Sequence, residues 1–114
     1  MIARFHAQAI QAMEGSQLEA VFARRPSVAE DIAKEFNCRA YSDEDPFFNE
    51  SGIEIVTIAT PSGAHLEPTL KAAEAGVHII CEKPLEVSTE RVDQMIEATD
   101  KAGVTLSGVF NRRF

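Results

Sequence analysis

The sequence predicts an α/β fold, a doubly wound parallel sheet with helices on both faces. Two observations predict it. Helical and strand-like patterns alternate along the whole chain. The strand-like runs are continuously apolar, as in "IEIVTIA" (53–59) and "VHIIC" (77–81), the mark of strands buried on both sides.

The elements follow in order. Residues 2–13 read as a helix with Ile2, Phe5, Ala9 and Met13 on one face, ended by Gly15-Ser16. "LEAVFA" (18–23) reads as a strand. "PSVAEDIAKEF" gives a helix in which Ser27 serves as N-cap and Glu30, three residues on, completes a capping box. Asn37 is suited to end it in the left-handed conformation. "CRAY" (38–41) is a short strand, and "SDEDPFFNESG" a turn with a short helix that packs Phe47 and Phe48 inward. The β-branched run 53–59 is the strongest strand, bounded by Gly52 and Pro61. A helix over 64–75 stops at Gly76, and "VHIICE" is the next strand. A helix over 89–102, capped by Ser88 and closed by Gly103, leads to the last strand at 105–110.

The 114 residues suit one domain able to bury a core without staples. At 45% hydrophobic and 25% charged, the composition is that of a globular chain. A net charge of −7 argues against a general nucleic-acid or anionic-membrane surface. The apolar stretches are too short to span a bilayer, and "MIARFHAQAI" lacks the form of a signal peptide, so a cytoplasmic location is expected. Cys38 and Cys81 fall in strand-like runs without metal-ligand spacing. With three scattered histidines they read as buried small hydrophobes, and no metal is expected. There is no internal repeat, low-complexity tract or linker.

Open parallel sheets bind ligands beyond the carboxyl ends of their strands. Four such ends are polar and punctuated by proline or glycine: Arg24-Arg25-Pro26, Thr60-Pro61-Ser62-Gly63, Glu82-Lys83-Pro84 and Asn111-Arg112-Arg113. Each alone is an ordinary turn; four together suggest a cleft. The Pro-Ser-Gly turn before a helix offers free backbone N–H groups to an anion or carbonyl, unless Ser62 simply caps the helix. His65, in the first helical turn, is by type more often a surface residue than a catalyst.

At these residues the chain resembles the N-terminal domain of the glucose-fructose oxidoreductase, inositol dehydrogenase and rhizopine-catabolism (Gfo/Idh/MocA) dehydrogenases. "HAQAI", "VTIATPSGAH", "AAEAGVHIICEKPL" and "GVFNRRF" carry the resemblance, which runs the length of the chain. It implies a Rossmann-type domain that binds NAD or NADP and serves oxidation of a sugar or polyol hydroxyl. Within the family's glycine-rich turn, Ala3 matches the third small position and His6 the histidine, so the first two glycines and a first strand are expected upstream of Met1. A substrate domain is expected beyond Phe114, with a histidine as second catalytic group. On this reading residues 1–114 are an incomplete dinucleotide-binding domain, expected to lack turnover alone, with strands 18–23 and 53–59 flanking a gap. The full-length protein is expected to form a homo-oligomer.

The resemblance assigns Lys83 to the substrate hydroxyl beside the nicotinamide, where a cation favours alkoxide character. It assigns Thr60, Pro61, His65, Glu82, Pro84 and Asn111 to the lining of the cofactor or active site. A cis Lys83–Pro84 bond is compatible with the motif. NAD binders usually place an acidic residue after the second strand to hold the ribose hydroxyls. Here Ala23 stands there, followed by Arg24 and Arg25, whose planar forks suit a phosphate; NADP is favoured.

Two other readings compete. A non-catalytic dinucleotide- and sugar-binding regulator would share the fold but has no need of Lys83. A two-component receiver would share Thr60 and the Lys83-Pro84 step. It also needs aspartates at strand ends, whereas Asp43 and Asp45 sit in a turn.

Overall fold

The structure, a computed structural model, describes residues 2–59, 65–82 and 88–108. Five helices and five strands alternate along them: α1 (Ile2–Ala12), β1 (Ala20–Phe22), α2 (Pro26–Phe36), β2 (Arg39–Tyr41), α3 (Glu44–Glu50), β3 (Ile55–Ile58), α4 (Leu66–Glu74), β4 (His78–Cys81), α5 (Thr89–Ala102) and β5 (Leu106–Gly108). Among the described residues all the ladders are parallel, as expected of apolar strands joined by helices. They form two sheets, β1-β2 and β3-β4-β5. The chain divides correspondingly into two compact units, residues 1–53 and 54–114.

In the first unit β1 pairs with β2 from Ala20↔Arg39 to Phe22↔Tyr41. Its core joins Ala7 of α1 to Ile32 and Phe36 of α2, with Leu18, Val21, Val28 and Cys38 packed around them. Polar ties hold α1 to α2, among them Arg4 Nε donating to Glu35 Oε1 at 2.8 Å and Gln11 Nε2 donating to the Phe36 carbonyl at 2.6 Å. Three residues of the apolar stripe read on α1 are not buried in this unit. Phe5 is 66% and Met13 58% exposed, and Ala9 is exposed too. The neighbour of α1 in this unit is another helix, and the small Ala7 lets the two backbones approach. Period alone identifies an apolar face, but the partner decides which face is used.

The start of α2 also differs from expectation. Pro26 is the first helical residue and Arg25 the N-cap, with no side-chain cap bond; Ser27 lies inside the helix. Proline presets the helical φ and has no N–H to satisfy, so it sets the boundary two residues earlier than the serine would. Asn37 does end α2 in the left-handed region (φ 53°, ψ 56°). Phe47 and Phe48 of α3 are buried, and Phe47 meets the rings of Phe22 and Tyr41 at centroid distances of 5.7 and 5.9 Å. Arg39 donates to the Ser51 carbonyl, closing the end of α3 onto β2.

In the second unit β4 is the central strand, paired with β3 from Ile55↔His78 to Ile58↔Cys81 and with β5 from Ile79↔Leu106 to Cys81↔Gly108. Ile79, Cys81, Met95 and Ala72 are sealed from solvent, with Val56, Ile58, Leu66 and Val77 nearly so. Sealing a side chain the size of Ile79 or Met95 contributes about 1.5–3 kcal/mol. Burial is not continuous along β3: Ile55 is exposed and Thr57 half-buried, so one face of the ladder is covered less than the apolar run suggested. Helix α5 agrees with its sequence signals at both ends. The Ser88 hydroxyl accepts from the Arg91 amide, and Gly103 stands in the left-handed region at φ 72°.

Candidate functional site

In an in-register parallel sheet all strands finish on one edge. Ile58 lies opposite Cys81, and Cys81 opposite Gly108. One more rung follows, from the Glu82 amide to the Ile58 carbonyl at 2.9 Å. The chain therefore leaves a single edge at three points: after Ala59, at Glu82 and after Gly108. In sequence those points lead to Thr60-Pro61, Lys83-Pro84 and Asn111. Those five residues, Ser62 and the Lys83–Pro84 bond lie outside the described residues; their anchors do not. Glu82 is half-buried at the edge.

His65 immediately precedes α4 and is 1% exposed, against the expectation of a surface ring. Its carbonyl accepts from both the amide and the hydroxyl of Thr69, at 3.2 and 2.7 Å. Thr69 is itself sealed, so the first turn of α4 is fixed from inside.

The first unit presents a second strand end. The Ala23 amide donates to the Tyr41 carbonyl at 3.1 Å, finishing the β1-β2 ladder. Arg24 and Arg25 come next, both exposed, and neither guanidinium has a partner among the described residues. The Arg25 carbonyl starts the helix by accepting from Val28 and Ala29. Ala3 and His6 lie on α1, with His6 half-buried next to the packed Ala7.

One feature of the second unit had no sequence signal. Arg91 Nη2 donates to both carboxylate oxygens of Glu67, at 2.9 and 3.1 Å. The pair ties the first turn of α4 to that of α5, the helices that follow segments 60–64 and 83–87. Twenty-four residues separate the partners, and no local spacing rule reaches that far.

Asp43, offered for a receiver-type acidic site, caps α3 by accepting from the Asp45 amide at 3.3 Å. Burial pushes the Cys38 thiol above its ordinary range, and Cys81 is sealed. Cys81 is thus buried as expected, while Cys38 is half-buried against the Ala7–Ile32–Phe36 core. Among the described residues no helix is long and apolar enough to cross a membrane.

Residues 1–110 match the oxidoreductase family Gfo/Idh/MocA, NAD-binding Rossmann fold. The chain belongs to that family. It is 37% identical over 91 residues to a 2,7-anhydro-N-acetylneuraminate hydratase of Mediterraneibacter gnavus, covering 80% of this chain and 24% of that protein. It is 30% identical over 111 residues to the scyllo-inositol 2-dehydrogenase (NADP(+)) IolW of Bacillus subtilis, covering 96% of this chain and 30% of that one. Among solved structures, the WlbA dehydrogenase of Bordetella pertussis in complex with NADH and UDP-GlcNAcA superposes with a TM-score of 0.90. Identity there is 28%, over 95% of this chain and 32% of that one. The chain thus spans between about a quarter and a third of these relatives. Open parallel sheets bind ligands beyond the carboxyl ends of their strands, and Ile58, Cys81 and Gly108 share that edge here.

Proposed function

We propose that this chain is the nucleotide-binding part of an NAD(P)-dependent oxidoreductase acting on a CH–OH group of a sugar or polyol. The observation that carries the reading is the common edge set by the Ile58–Cys81–Gly108 register, from which the segments bearing Thr60, Lys83 and Asn111 depart. Bound dinucleotide supplies a hydride acceptor. With the dinucleotide bound, oxidation of the alcohol would pass a hydride from carbon to the nicotinamide and a proton from oxygen to a base, the histidine that the family resemblance expects in the substrate domain. Lys83 is the cation that stabilises negative charge developing on that oxygen, while the buried His65 and the edge residue Glu82 hold the flanking segments.

The cofactor is NADP in preference to NAD. Arg24 and Arg25 lack partners among the described residues and suit the ribose 2′-phosphate, and Ala23 occupies the place of the carboxylate that NAD binders use. The B. subtilis relative bears NADP(+) in its name.

Titrating NADPH and NADH against the full-length protein by nicotinamide fluorescence tests the reading. NADPH should bind more tightly; absence of binding by either overturns it. Turnover of sugars and polyols should be followed by substrate loss as well as by nicotinamide absorbance, since one relative is named a hydratase.

A further inference from the structure

We propose that His78 is a positioning residue whose ring fixes the point at which β5 joins the sheet. The β4-β5 ladder begins with the Ile79 amide donating to the Thr105 carbonyl at 2.9 Å. The N–H and C=O of an extended residue point to the same side, so the Thr105 amide also faces β4. In a regular parallel ladder its acceptor would be the Val77 carbonyl. Here it donates to Nδ1 of His78 at 3.0 Å. Val77 is still engaged with the preceding helix, its amide bonded to the Ala72 carbonyl at 2.9 Å, so the chain has not yet become a strand. The imidazole supplies the missing rung.

The same residue reaches the other neighbour through its backbone, its amide donating to the Glu54 carbonyl at 3.0 Å. His78 therefore links the entry of β3, by main chain, to the entry of β5, by side chain. The two residues before Thr105 do not do this. Gly103 and Val104 are bonded back to α5, through the carbonyls of Asp100 and Thr99 at 3.2 and 3.0 Å. Thr105 is the first residue after α5 held to the sheet, and the ring takes its amide. Acceptance at Nδ1 requires the lone pair there, which selects the neutral ring with its proton on Nε2.

The bond distinguishes two isosteric replacements. Asparagine places an acceptor oxygen where Nδ1 stood, whereas glutamine places it where Nε2 stood. Amide exchange of Thr105 in H78N should match wild type, while H78Q and H78F should exchange about three- to tenfold faster. Exchange at the Met95 amide, inside α5, reports whether each variant remains folded. Ring ¹⁵N shifts of the wild type should show Nε2 protonated and Nδ1 bare. Equal Thr105 protection in H78N and H78Q, or a protonated Nδ1, would overturn the proposal. Should H78F fail to fold, the asparagine–glutamine pair still decides.

Discussion

The starts of α2 and α5 meet the same physical problem in opposite ways. Each leaves backbone N–H groups without helical acceptors and concentrates positive partial charge. α5 is finished internally: Ser88 caps it and Glu90 lies in its first turn. α2 has no side-chain cap and no acidic residue in its first turn, and Arg24 and Arg25 stand just before it. Cations at a helix N-terminus are unfavourable, each by roughly 0.3–1 kcal/mol. The finished end serves the scaffold. The unfinished end fits the proposed binding of the NADP 2′-phosphate at Arg24 and Arg25.

The largest effect should come from Lys83, which precedes the finished helix in sequence. In the full-length enzyme Lys83→Ala should lower kcat by roughly 10²–10⁴ and leave dinucleotide affinity nearly unchanged. An ammonium at the substrate oxygen acts mainly in the transition state and does little for the adenosine half. Lys83→Arg should not restore the rate, because a planar guanidinium does not fill the place of a compact ammonium. Steady-state kinetics with a binding titration on the same samples decides. A kcat within a few-fold of wild type would make Lys83 an ordinary turn residue. Loss of dinucleotide binding together with rate would assign the Glu82-Lys83-Pro84 turn to structure.

A smaller effect is expected at the unfinished end. Arg24→Ala should weaken NADP by about tenfold or more, given roughly 1.5–3 kcal/mol for a charge-assisted bond. NAD affinity should change little, since NAD has no 2′-phosphate. Calorimetric titration of both cofactors separates the cases. Equal affinities in the wild type, or tighter NAD, would remove the functional half of the comparison.

Legibility followed locality. Ser88 and Gly103, Asn37, and the pair Phe47-Phe48 were readable because each signal sits within a turn of the feature it controls. The parallel strands were readable because burial demands apolar runs. Three features depended on what arrives from elsewhere in the chain. The exposure of Phe5 and Met13 goes with α1 packing through Ala7 onto α2, and the burial of His65 at the start of α4 is a tertiary fact that no local pattern carries. The Glu67–Arg91 pair joins two helices that share no sequence pattern. At α2 the error was one of competition. Ser27 and Glu30 offered a capping box, but Pro26 had already committed the backbone. Of the candidate site, the strand ends and Arg24-Arg25 were legible as types of residue in types of place. The register bears out the shared edge for the ends of β3, β4 and β5.

The smallest effect sharpens the comparison most directly, because it measures the two helix starts with one substitution. Ser88→Ala removes an acceptor from the Arg91 amide and should cost about 1 kcal/mol. Ser27→Ala removes no cap, since Ser27 lies inside α2 and is exposed. Alanine is also the better helix former, so stability should change by no more than about 0.5 kcal/mol, in either direction. Urea unfolding midpoints of the two variants, at unchanged slope, give the difference. If Ser27→Ala costs as much as Ser88→Ala, Ser27 caps α2 after all. The start of α2 would then be satisfied from within, and its arginines would lose their claim to an external anion.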